Sequence, residues 1–189
     1  MTNYFEKELL LIKNPIIKDI AMRGIAMLPD YFYKEGASST GKYHPVYAQG
    51  EEGLYRHVTA AVALASDLIR ISHWLTDDEK DIVITSLILH DGWKYGVDGN
   101  KGKTTHSHPI IAADVLRENI HVDTEEGKEF LNTICDNISS HMGEWTTNKY
   151  DSTVLPEPKG KMQNLVFWCD YLASRKRIEI NFDVPLEIY

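Results

Sequence analysis

The sequence is short of cysteine, of positive charge and of long apolar runs, and each shortage narrows the field. Two cysteines among 189 residues, Cys135 and Cys169, both fall within apolar helical stretches. They read as small core residues, and a chain of this length buries a sufficient core without disulfide staples. Lys and Arg number 20 against 28 Asp and Glu, a formal net charge of −8. That balance argues against broad, charge-driven nucleic-acid binding, which needs a basic surface. Phosphate substrates stay open, because bound divalent cations are missing from the formal count and reverse the local sign of an acidic pocket. Charged or polar residues interrupt the apolar stretches well short of a membrane span. The opening MTNYFEKELLLIKN lacks the basic region, apolar core and small-residue cleavage site of a secretory leader. The expectation is a cytoplasmic protein with no membrane partner.

Internal repeats, low-complexity tracts and linkers are also missing, and sustained strand alternation is confined to the tail IEINFDV. What is present is the punctuation of helices. Asn14 precedes Pro15, and an apolar stripe runs on to about Leu28. Residues 33–49 read as a loop, and a helix follows from about Leu54 to Ile71. Thr76-Asp77-Asp78-Glu79 is a capping box that opens a helix reaching about His90. After the glycine-rich stretch DGWKYGVDGNKGKTT, Ser107 caps a helix over HPIIAADVLREN, and Thr124 starts another through GKEFLNTICDNISSH. The last helix spans about Met162 to Arg177. The expected architecture is all-α and single-domain: N-terminal helices and a loop over 1–52, a core helical bundle over 53–178 and a tail over 179–189.

Placed on these helices, the histidines fall into a pattern. His57 shares a face with Ala61, Leu64 and Leu68, the buried side of its helix. His90 follows Val83, Ser86 and Leu87; His141 follows Ile134, Asn137 and Ile138; Asp170 shares a face with Val166 and Phe167. A lone histidine on an apolar face is more often a hydrogen-bonded core residue than a ligand. Here four helices each aim a histidine or carboxylate inward, and Asp91 adjoins His90. A bare inward carboxylate is costly unless it is paired or metal-bound. Imidazoles and carboxylates without cysteine suit Fe, Mn, Co, Ni, Zn or Mg alike.

His57, then His90-Asp91, then Asp170 resembles the H…HD…D signature of the HD-domain phosphohydrolases, over roughly Gly53 to Arg177, with the doublet set in LILHDGWKYG. HSHPIIAADVL is similar to the segment that supplies a further histidine in members binding two metals, with His108 as the match, and ISSHMGEW supplies His141 in the same way. The finish WCDYLASRKRIE resembles that of bacterial diadenosine tetraphosphatases of this family. The resemblance implies an HD-type bundle with two divalent metal ions. His57, His90, Asp91 and Asp170 would hold the first; His108, His141 and a bridging Asp91 would hold the second. It implies hydrolysis of a nucleotide or similar small phosphate ester or anhydride by a hydroxide bridging the ions, with Asp91 and Lys94 as the catalytic pair. Lys94, three residues past Asp91, stands where many relatives place a lysine near the substrate phosphate. His44, His106 and Arg175 are further candidates for substrate contact, with Arg177 beside them, whereas His73 and His121 read as surface.

No Gly-Tyr-Pro follows the doublet, which disfavours the cyclic-dinucleotide phosphodiesterase branch. The lead-in KYHPVYAQGEEG looks more like that of some HD-type exoribonucleases and phage HD proteins. Two alternatives therefore stand beside the small-molecule hydrolase: 3′ exonuclease action on RNA or single-stranded DNA, and a non-catalytic module that binds a nucleotide. Gly36 to Lys42 imitates the start of a phosphate-binding P-loop, but Tyr43 replaces the required Ser or Thr and no strand precedes it.

Overall fold

The computed structural model describes residues 4–38, 41–99 and 102–188. Ser39 and Thr40 of the P-loop-like stretch, Asn100 and Lys101 of the glycine-rich loop, Met1 to Asn3 and Tyr189 lie outside the described residues. The chain runs through α1 (Glu6–Leu11), α2 (Pro15–Ala26), α3 (Gly53–Ile71), α4 (Asp77–Leu89), α5 (His108–Asn119), α6 (Glu125–Ser139) and α7 (Lys161–Ala173), with short 3-10 turns at Asp30–Tyr33 and Val46–Ala48. Among the described residues the only extended pairing is an isolated bridge between Asn148 and Asp151, so the protein is all-α.

Three helix starts follow the capping chemistry in the sequence. Asn14 Oδ1 accepts from the backbone N–H of Ile16 and Ile17 at 2.9 and 3.4 Å, ahead of Pro15. Thr76 and Glu79 satisfy each other's backbone donors reciprocally. Thr124 Oγ1 accepts from Gly127 N. Ser107 is different: it precedes α5, but its side chain makes no capping hydrogen bond to the helix. The last helix also stops short of Arg177. Ser174 N–H turns back to the carbonyls of Asp170 and Tyr171, leaving Arg175 and Arg177 beyond the helix end.

Every residue of α4 from Asp81 to Leu89 is buried, and this helix packs on α1, α2, α3, α6 and α7. A helix covered on all sides belongs at the centre of a bundle. Around it α3 lies against α7, and α5 against α6. Asp81, buried on α4, accepts from the backbone N–H of Lys13 and Asn14 at 2.9 and 2.6 Å, tying the α1–α2 junction to the core. The tail forms no strand. Helical neighbours offer no free backbone edge to pair with, and it is held instead by Ser66 Oγ donating to Glu187 O, by the Arg70–Glu187 ion pair and by Phe182 against Tyr47. Cys135 and Cys169 are free and buried, and burial pushes both thiols up to about 12, which leaves them unreactive. No helix among the described residues is long and apolar enough to cross a membrane.

Candidate metal centre

Five helices deliver one cluster. His57 comes from the second turn of α3, and His90 and Asp91 from the end of α4. His108 is the first residue of α5, His141 lies just past α6, and Asp170 sits in the last turn of α7. Ligand atoms of His57, His90, Asp91 and Asp170 all lie within 4.8 Å of one another, as do those of Asp91, His108 and His141. Asp91 belongs to both groups. All are buried except Asp170, whose side chain is 18% exposed and forms the open side of the cluster.

The histidines are oriented by one repeated device. His90 Nδ1–H donates to Leu87 O, His108 Nδ1–H to Thr105 O and His141 Nδ1–H to Ile138 O, each at 2.7 Å and each to the carbonyl three residues earlier. For His90 and His141 the acceptor is a last-turn carbonyl of the kind a helix end leaves spare. A carbonyl only accepts, so each Nδ1 carries a ring proton, and in the neutral ring each Nε2 presents a lone pair to the cluster. His57 points its Nε2 to Asp170 Oδ1 at 2.9 Å and to Asp91 Oδ2 at 3.5 Å.

The result is acceptor facing acceptor. His108 Nε2 lies 3.1 Å from His141 Nε2. Asp91 Oδ1 faces those two nitrogens at 3.0 and 3.7 Å, and no hydrogen bond satisfies it, because both ring protons are on the other nitrogen. His90 Nε2 is likewise buried without a hydrogen-bond partner, 3.4 Å from Asp170 Oδ1 and 3.6 Å from Asp91 Oδ2. Buried acceptors aimed at one another are costly unless a cation lies between them. The donor set therefore fits one or more divalent cations held by imidazole nitrogen and carboxylate oxygen.

Burial alone pushes the Asp91 and Asp170 carboxyls up, but the surrounding positive and hydrogen-bonding groups hold both well below the usual carboxylate range. Those groups are Lys94 and His90 for Asp91, and His57 and His90 for Asp170. Burial lowers His57, and lowers His141 to about 3, which keeps these rings neutral and able to ligate. His90 is buried too, but Asp91 and Asp170 outweigh that and raise it.

The remaining candidates divide. Lys94 is buried, and its ammonium is bonded to Asp91 Oδ2 instead of being solvated on the loop. His44 packs edge-on against the His57 ring, centroids 5.1 Å apart, with Nδ1 buried and unpartnered, and burial lowers it to about 3. Arg175 lays its guanidinium on Tyr171, 4.2 Å from the ring centroid, and donates to Ser174 Oγ at 2.7 Å. Lys94, His44, Arg175, His108 and Asp170 line one cavity of about 490 Å³. His106 does not reach it: its Nε2–H donates to Thr153 O at 3.2 Å, and Arg177 stays outside as well. His73 and His121 are exposed. Two cavity residues the sequence reading passed over are Trp145 and Tyr171, which stack with an interplanar angle of 14°. Their one clue was position, since Tyr171 follows Asp170 and Trp145 comes one turn after His141. No protein-family model, curated protein or solved structure matches this chain, so the site is read on its own geometry.

Proposed function

We propose that this protein is a metal-dependent phosphohydrolase of the HD type, acting on a small phosphate ester or anhydride such as a nucleotide. The observation that carries the reading is the pair of buried ligand groups sharing Asp91, with Asp170, His108 and Lys94 at the wall of the adjoining cavity. His57, His90, Asp91 and Asp170 would hold one divalent cation, and Asp91, His108 and His141 a second. Such cations supply Lewis acidity toward a phosphate oxygen and lower the pKa of a bound water. The chain itself contributes the rest. The three Nδ1–H bonds fix ring orientation before substrate arrives. Lys94 provides a positive charge at the cavity wall, placed for a charge-assisted contact with a phosphate oxygen. Hydrolysis then adds water across a P–O bond, giving a phosphomonoester or a shortened nucleotide.

The test is hydrolysis of bis(4-nitrophenyl) phosphate by protein stripped with chelator and reloaded singly with Mn, Fe, Co, Ni, Zn or Mg. Turnover that returns with a metal and is absent in Asp91→Asn supports the reading. Nucleotide binding with no turnover under any metal would establish the non-catalytic module instead. Shortening of labelled oligonucleotides in preference to mononucleotides would establish the exonuclease.

A further inference from the structure

Two of the segments that supply metal-group residues also supply aromatic rings to the same cavity. Tyr171 directly follows Asp170 on α7, and Trp145 lies one turn beyond His141. The two rings stack at 5.6 Å between centroids, and the Arg175 guanidinium lies on Tyr171, so three π groups run together along the wall. Gly143 makes the approach possible. Its backbone has φ +63°, and a Cβ there would come within 2.2 Å of the Phe167 ring, on which the edge of Trp145 also packs. Despite these contacts Trp145 is 45% exposed, leaving ring surface open. Single exposed aromatics are ordinary on protein surfaces. A stacked set beside a buried polar cluster, in a cavity of about 490 Å³, is the composition of a small-molecule site: apolar walls with a few convergent polar groups.

We infer that Trp145, backed by Tyr171, is a stacking platform for a flat aromatic group carried by the phosphate substrate. The site would thus select for a base-bearing phosphate over a plain sugar phosphate while separating one base from another only weakly. Every nucleobase has a π-face, so stacking tolerates them all. Aromatic groups without a phosphate would bind less well, because the other half of the cavity is built for anions near the cations. The assignment rests on the phosphohydrolase reading for that phosphate end alone.

The experiment compares wild type, Trp145→Ala and Trp145→Phe as metal-loaded full-length proteins, with adenosine 5′-monophosphate, uridine 5′-monophosphate and ribose 5-phosphate. Hydrolysis is followed by phosphate release and binding by calorimetry. Trp145→Ala should raise KM and weaken binding for both nucleotides roughly 5- to 150-fold, with kcat within about twofold. Ribose 5-phosphate should be unaffected, and Trp145→Phe should recover most of the loss because it restores a ring. Unchanged nucleotide affinity in Trp145→Ala, or an equal loss for ribose 5-phosphate, would overturn the platform while leaving the hydrolase intact. If wild type hydrolyses none of the three, only phosphomonoesterase action is excluded, diester and anhydride hydrolysis being decided by bis(4-nitrophenyl) phosphate, and calorimetry alone decides the platform. Nucleotide binding lost in Trp145→Ala and kept in Trp145→Phe then sustains it, and no nucleotide binding to wild type ends it.

Discussion

Asp91 stands in both ligand groups, so replacing it should act differently from replacing any histidine. Four donors form the first group. Binding free energies of about 10–16 kcal/mol for four-ligand structural zinc sites, shared over four donors, give about 2.5–4 kcal/mol each. That is roughly a 70- to 900-fold loss of affinity per ligand removed. His141→Ala should impose this loss on one ion, and Asp91→Asn on both. The assay is elemental analysis after desalting, with affinities from titration against a chromophoric chelator. His141→Ala should keep about one equivalent where wild type keeps two, and Asp91→Asn should keep close to none. A second effect separates ligation from folding. Lys94 is bonded to Asp91 in a buried pair, so Asp91→Asn strands an ammonium. Breaking such a pair costs about 3–5 kcal/mol, or about 6–20 °C in Tm for a chain of this size. Adding Lys94→Met should restore most of the Tm without restoring metal. If Asp91→Asn and His141→Ala retained the same metal content, the sharing of Asp91 would be refuted.

Lys94→Ala should lower kcat/KM on a phosphate ester roughly 10- to 150-fold, the worth of one charge-assisted contact, with metal content unchanged by elemental analysis. Acid should destabilise the metal-free protein. His44 and His141 are held near about 3, below the ordinary 6.5, so the unfolded chain takes up their protons first. Stability is then fully present above about pH 6.5 and is lost as pH falls toward about 3, with His90, raised by its carboxylate neighbours, and Glu8, raised by burial, working the other way. Tm measured against pH should show this slope, His44→Phe should flatten it, and a profile level from pH 7 to 4 would contradict the burial argument. Asp81→Ala leaves the N–H groups of Lys13 and Asn14 without their acceptor and should cost about 2–6 kcal/mol by denaturant titration while sparing metal content. Cys135→Ala, a small truncation in the core, should cost about 1–2 kcal/mol and keep full metal.

The sequence carried the helices wherever a cap or a long stripe marked them, as at Asn14, Thr76 and Thr124. It also carried the inward aim of His57, His90, His141 and Asp170, because helical offsets are local arithmetic. It did not carry α1, whose six residues are too few to display a period. Nor did it carry the end of α7, where no glycine or proline stands and the basic run SRKR continues the helical composition past Ala173. Ser107 looked like a cap, but its side chain makes no bond to the first turn of α5. The burial of Lys94, the exclusion of His106 and the Trp145–Tyr171 stack depend on how separate segments meet, which residue spacing does not encode.

The His57–Asp170 contact joins residues 113 apart, and the His108–His141 contact joins residues 33 apart. A cation held among them is therefore a cross-link between distant parts of the chain, and it does for the folded state what a disulfide does in a secreted domain. Unlike a disulfide, its strength follows supply: free metal at 100 times its Kd adds about 2.7 kcal/mol, and scarcity removes it. Burial keeps the His141 ring neutral, so uptake displaces no proton there, whereas His90, raised by its carboxylate neighbours, must give up any proton on Nε2 before it ligates. Both the metal available in the surroundings and their acidity would then set how tightly a bound cation fastens the five helices together.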